Sequence, residues 1–320
     1  MSQTKTVFKS AFILSIGVFV SKFLGLVYRI PLTSVLGSYG IGLYQMVFPI
    51  YTLLLDFSGS GAPNAISKII AEKQGENKIY SKKVLKISIK VLSKLGLLFT
   101  LFLLIFSKLI AVMQGNRQAF LPYVLLSPSV FLVCILSCFR GYFQGRLNMK
   151  PTSISQILEQ VFKLVFGLSL AYMFRSNTVL AVSMATLAIT ISEAFSLLFV
   201  YIIYKKRAKD KEGGEEAIIE NDSEIKKKFI SHLIPISIIG LMLPLSHVID
   251  SFTVINLLSR YSQNATSLYG ISSGIVHTII SLPVSICYTL STVSIPIISK
   301  LKGEQSKNKN SKRIIFTPLL

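Results

Sequence analysis

Tryptophan is absent from this sequence, and cysteine and histidine occur three times each. Cys134, Cys138 and Cys287 all fall in apolar runs. Cys134 and Cys138 are one helical turn apart, yet no other ligand type accompanies them. Small apolar packing is therefore their expected role, and no metal site is expected. No glycine-rich phosphate loop, hydrolytic triad or metal-ligand cluster appears, so neither an ATP-driven pump nor a membrane-bound enzyme finds support. Charge is scarce too, at 15% of residues, with 14 acids against 34 bases.

What fills the chain is apolar: 51% of its 320 residues are hydrophobic, and the mean hydropathy is +0.61. That combination excludes a soluble domain and fits an all-α polytopic membrane protein. A net charge of +20 invites a nucleic-acid reading. The lysines, however, sit between apolar runs of membrane-spanning length, which points to loops at one membrane face instead. The first run is too long for a signal peptide and lacks a small-residue cleavage site.

Runs of about 20 apolar residues mark eight spans. They lie near 8–30, 42–66, 87–112, 121–140, 155–175, 178–204, 230–257 and 268–299. Taken to the nearer membrane face, 28 of the 34 basic residues, Lys163 among them, fall on one side and five (Arg29, Lys108, Arg117, Arg175, Arg260) on the other, leaving Lys22 within a span. The asymmetry puts both termini in the cytoplasm. Residues 205–228 carry eight basic and seven acidic residues and little to bury, so they read as a cytoplasmic linker. The chain then divides into a six-helix lobe (1–204), the linker (205–228), the first two helices of a second lobe (229–300) and a basic tail (301–320). An internal echo supports the division. Leu43-Tyr44, Pro49, Pro63 and Ile66-Ser67-Lys68 are answered by Leu268-Tyr269, Pro283, Pro296 and Ile298-Ser299-Lys300. Transporters built from such repeats bind substrate where the repeats meet.

Charges inside the spans are the candidate site. Lys22 and Arg29 lie seven residues apart, about two helical turns, and project from nearly one face. A charge at the bilayer centre costs roughly 2.5–3.5 kcal/mol on insertion scales, so such residues face a cavity, a partner or a substrate. Two readings stay open: an anion site in a membrane cavity, or Lys22 paired with Asp56 at similar depth while Arg29 snorkels to the interface. Glu193 also falls near mid-membrane, with Asp250 further toward the outer side. Glu159 sits about one turn into its helix, where the helix dipole favours an acid. His247 and Asp250 are one turn apart, and packing is the expected role of His247. Arg140, Arg146 and Lys150 form a cationic turn at the phospholipid surface.

The stretch F-R-G-Y-F-Q-G, then M-K-P-T, then S-Q-I-L-E-Q, within Phe139–Gln160, closely resembles the stage V sporulation protein B family of the multidrug/oligosaccharidyl-lipid/polysaccharide exporter superfamily. Ser21-Lys22-Phe23-Leu24-Gly25 resembles the S-[RK]-x-L-G of peptidoglycan-precursor flippases. P-N-A-I-S-K-I-I-A-E and the I-D-S-F-T-V at Ile249–Val254 are similar to family patterns as well. The resemblance implies two MATE-like lobes around a cationic cavity. It implies alternating access that carries a polyprenyl-pyrophosphate-linked saccharide across a bacterial inner membrane for cell wall, spore cortex or polysaccharide synthesis, alongside cell-wall synthesis proteins. Lys22 matches a basic position that relatives turn toward the pyrophosphate, and Arg29 lies near a second. Asp250 resembles an acid linked to cation coupling, by Na+ or H+. Relatives carry about fourteen spans, so a shortened chain is expected to transport poorly by itself. The competing expectations are a MATE-type exporter of organic cations, which Asp56, Glu193 and Asp250 favour, and a non-transporting membrane assembly protein.

Overall fold

A computed structural model describes residues 2–58, 61–72, 78–208, 221–277 and 279–280, and every regular element among them is helical. The end of the eighth expected span beyond residue 280, Cys287, the repeat's Pro283 and Pro296, the middle half of the linker and the basic tail lie outside the described residues. Eight α-helices follow one another: α1 (Ser2–Ser58), α2 (Gly61–Glu72), α3 (Lys78–Met113), α4 (Phe120–Gly145), α5 (Lys150–Met173), α6 (Thr178–Ala208), α7 (Asp222–Leu258) and the short α8 (Ala265–Tyr269). The last runs into a π-turn at Gly270–Val276, and a 3-10 turn at Arg117–Ala119 precedes α4.

Six helical runs are long and apolar enough to cross a membrane. The first, Phe12–Glu72, has 61 residues. At 1.5 Å per residue it would reach roughly 90 Å, about three hydrocarbon thicknesses, so it cannot be one crossing. It breaks at Gly37, whose φ of 67° and ψ of 179° are non-helical. Glycine suits that positive φ because it has no Cβ to strike the following carbonyl. The break falls between the first two spans expected from hydropathy and gives α1 two limbs.

Within the bundle α3 packs on α4, α4 and α5 on α6, α1 on α5, and α2 on α4. Small residues set the closest approaches. A Cβ on Gly141 would stand 2.8 Å from Ile66 Cβ, and one on Gly145 2.7 Å from Ile70 Cβ, so α2 lies directly on α4. Gly96 of α3 admits Cys134 in the same way, which gives that buried thiol its packing role. Apolar side chains gather in two clusters. One holds Leu43, Met46, Val47, Tyr123, Leu126 and Val182; the other holds Ile66, Ile69, Leu92, Phe139, Phe143 and Phe229.

A polar lock ties α7 and α8 to this bundle. Buried Gln114 donates its amide N–H to Met46 O and Ser251 Oγ, each at 3.0 Å, and accepts from Tyr123 O–H at 2.9 Å. Asn116 donates to Tyr39 Oη (2.9 Å) and Thr266 Oγ1 (3.0 Å), and Gln45 donates to Ser273 O (2.7 Å). Gly42 and Gly270 bring the second limb of α1 against α8 and the turn after it. The contact joins the two segments that echo one another in sequence.

Candidate functional site

The site is assembled on α1 and α5. Ser153 Oγ–H donates to Ile13 O at 3.0 Å, Gly17 faces Ser153, Gly25 faces Gln160, and Tyr28 Oη lies on Gly167. Each pair steps forward along both helices, so α1 and α5 run parallel in steady register. That register places Lys163 axially between Lys22 and Arg29, with steps of about 5 Å at 1.5 Å per residue. Three cations thus follow one another along the helix pair. Lys22 is exposed, whereas Arg29 and Lys163 are half-buried.

The Lys163 ammonium stands over the rings of Tyr28 (5.6 Å to the centroid) and Phe48 (5.3 Å). Aromatic faces attract a cation through their quadrupole, which holds the ammonium in the interior. Glu159, Glu193 and Arg29 are within electrostatic reach of it. Among the described residues neither Lys163 nor Arg29 makes a salt bridge, so both positive heads remain available to a ligand.

Beside these cations lies an acidic pair. Arg140 of α4 donates to Glu159 Oε2 at 2.8 Å and to Ser155 Oγ at 3.0 Å, with the two charged side chains 13% and 18% exposed. Gln160 donates to the other Glu159 oxygen at 3.2 Å. Glu193 of α6 faces Glu159 and is 4% exposed, and its Oε2 accepts no hydrogen bond among the described residues. Desolvating a carboxylate oxygen without a donor is unfavourable, so this atom is a place where a ligand, cation or proton would be favoured.

Two expectations are corrected. Glu159 does not meet a helix dipole one turn from its N-terminus. The helix begins at Lys150 with Pro151 in its first turn, so Glu159 lies more than two turns in and is neutralised by Arg140. Arg140 is accordingly held between α4 and α5 by Glu159 and Ser155. The second correction is that Lys163, counted among the basic residues of the cytoplasmic side, sits beyond the middle of α5 and belongs to the site. Its signal was present as Ser155, Glu159, Lys163 and Gly167, every fourth residue on one face.

The structure therefore joins Arg29, Glu159, Glu193 and Arg140. Asp56 is half-buried on the second limb of α1. Arg146 is apart, bonded to Tyr142 Oη at 3.0 Å. Asp250 is exposed on α7 beside the Gln114 lock and is not part of this cluster. His247 packs edge-on against His277, ring centroids 5.9 Å apart.

The helical bundle that carries these charges has solved counterparts. The chain superposes on a MATE protein solved in the straight conformation with a TM-score of 0.64 at 18% identity, covering 94% of this chain and 66% of that one. It superposes on a MOP superfamily transporter from Pyrococcus furiosus at 0.62 and 16% identity, covering 93% and 71%. The polysaccharide biosynthesis protein family matches residues 7–302, and the chain belongs to that family. It is 29% identical to the lipid II flippase MurJ of Bacillus subtilis (strain 168), over 91% of this chain and 57% of that protein. It is 30% identical to stage V sporulation protein B of the same organism, over 92% and 58%. The chain thus spans less than three fifths of these relatives' lengths.

Proposed function

We propose that this protein is a flippase-type carrier of lipid-linked, polyprenyl-pyrophosphate saccharide precursors for cell wall, spore cortex or polysaccharide synthesis, working by alternating access in a bacterial inner membrane with both termini cytoplasmic. The observation that carries the reading is the file of cations Lys22, Lys163 and Arg29 along α1 and α5, of which the last two make no salt bridge among the described residues. A pyrophosphate entering the membrane loses water, and charge-assisted hydrogen bonds from a lysine or arginine replace part of that shell. Glu159 and Glu193, one neutralised by Arg140, keep the file from holding the anion too tightly to release it. Asp56 and Asp250 contribute polar lining and cation coupling in the same scheme. The first lobe and the start of a second, joined at Gly42 and Gly270, supply the two halves that rock.

Binding tests it. Lys163→Gln and Arg29→Gln should each weaken capture of a polyprenyl-pyrophosphate disaccharide by roughly tenfold or more, the equivalent of one hydrogen bond to a charged group. Unchanged affinity in both variants would refute the reading. A second reading, an exporter of organic cations, is favoured by the unpartnered Glu193 Oε2. It requires a cationic dye to bind in place of the pyrophosphate, with Glu193→Gln abolishing that binding.

A further inference from the structure

A second charged feature lies away from α1 and α5, where the start of α7 meets α3. A cavity of about 290 Å³ opens there, lined by Ile87, Lys90, Val91 and Lys94 of α3 and by Asp222, Ser223 and Lys226 of α7. A neighbouring groove shares Ser223 and Lys226 and continues past Lys227 to Ile230. The acid in this lining, Asp222, is already neutralised by Lys83, 2.9 Å away. Lys90, Lys94 and Lys226 make no salt bridge among the described residues. Asn221 gives the first turn of α7 no side-chain cap. The uncapped amides and the helix dipole add to the positive potential that the lysines create.

The rest of the α3 face says what kind of anion fits. Lys86, Lys90 and Lys94 recur every fourth residue, and the same face continues as Leu98 (61% exposed), Leu101 (45%) and Ile105 (70%). From Lys94 to Ile105 the helix rises about 16 Å, close to the hydrocarbon depth of one leaflet. Cationic cleft above, bare apolar ridge below: this is the profile of a headgroup with its acyl chain, which a free phosphate ion would not need. We propose that the α3–α7 cleft is a binding site for an anionic glycerophospholipid, its phosphate held by Lys90, Lys94 and Lys226 and its acyl chain laid along α3. The site shares no residue with the α1–α5 cations and stands whether or not the transport reading does.

The absence of tryptophan gives the test a clean background. A Val91→Trp reporter is placed in phosphatidylcholine bilayers containing either brominated phosphatidylglycerol or brominated phosphatidylcholine. Quenching by the anionic lipid should exceed that by the neutral one, and each of Lys90→Gln, Lys94→Gln and Lys226→Gln should reduce the preference about fivefold. A Leu109→Trp reporter, further down α3, should show no preference and serves as the folding control. Equal quenching by both lipids at Val91→Trp overturns the proposal, as does a preference that survives all three substitutions together. It is also overturned if inorganic phosphate alone abolishes the preference, or if a polyprenyl phosphate displaces the phospholipid more strongly than phosphatidylglycerol does. A preference that emerges only in a Glu215→Gln/Glu216→Gln variant would assign the cleft to the chain's own acidic linker and overturn it equally.

Discussion

Replacing Arg140 by methionine removes a cation that two carboxylates depend on, and the structure sets the size of the effect. The Arg140–Glu159 pair is 2.8 Å long, with side chains only 13% and 18% exposed. An exposed pair contributes about 0–1 kcal/mol, whereas deleting one partner of a buried pair costs about 3–5 kcal/mol, because the other charge is stranded. With both groups largely out of water and Glu193 facing Glu159, Arg140→Met should cost about 3 kcal/mol. Glu159→Met should cost less, about 1–2 kcal/mol, because Arg140 keeps its bond to Ser155 Oγ at 3.0 Å and has a long stem with which to reach water. The double variant strands nothing at this pair and should return to within about 1 kcal/mol of the parent, giving a coupling of about 3 kcal/mol. Equilibrium unfolding in mixed SDS and dodecyl maltoside micelles, followed by circular dichroism, measures all three. Simple addition of the two single losses in the double variant would show that Glu159 is not stranded when Arg140 is removed, and the account of the charged layer would fall.

Other substitutions test the packing. Gly141→Ala would bring a methyl within 2.8 Å of Ile66 Cβ and 2.9 Å of the Pro63 backbone, and should lower stability by about 1–3 kcal/mol in the same assay. Gly25→Ala meets only the flexible Gln160 Oε1 at 3.5 Å and should stay within about 0.5 kcal/mol of the parent. At Gly37 nothing lies within 4 Å of a new Cβ, so Gly37→Ala should cost only the backbone strain of a positive φ, about 1–2 kcal/mol. Gln114→Leu breaks the bonds to Met46 O and Ser251 and should raise hydrogen exchange at residues 265–276 while leaving α5 protected.

The helical spans were legible because twenty apolar residues leave a sequence few other structures, and Gly37 fell where two such runs meet. The start of α5 was not legible, for an identifiable reason. Its first turns read Lys-Pro-Thr-Ser-Ile-Ser-Gln, a polar composition that looks like a loop. In the structure those hydroxyls bond to neighbouring helices: Ser153 to Ile13 O, Thr152 to Arg140 O at 3.4 Å, and Ser155 accepting from Arg140. Polar residues that serve as helix-to-helix contacts carry the same hydropathy as residues that face water, so composition cannot separate them. The five-residue error amounts to about 7.5 Å along the helix. It moved Glu159 from an ion pair to a helix end.

The corrected depth changes what the charges imply together. By register Glu159 lies near the level of Lys22, with Glu193 facing it, while Lys163 and Arg29 lie progressively further along α5 and α1. Charge is therefore graded along the helix pair and not merely present in it. At one level acids offset the cations; further along, Lys163 and Arg29 stand without a salt bridge among the described residues. Under the proposed reading an anionic head group would be drawn toward Arg29 and weakened in its hold toward the acids. Reversing the gradient tests this more sharply than deleting a charge. Arg29→Gln combined with Glu159→Gln removes one cation and the carboxylate paired with Arg140, so it keeps the formal net charge of the site unchanged but moves its positive centre toward Lys22. Capture of the pyrophosphate by that double variant should fall about as far as in Arg29→Gln alone, roughly tenfold. Recovery to the parent affinity would mean that total charge, and not its placement along α1 and α5, governs binding.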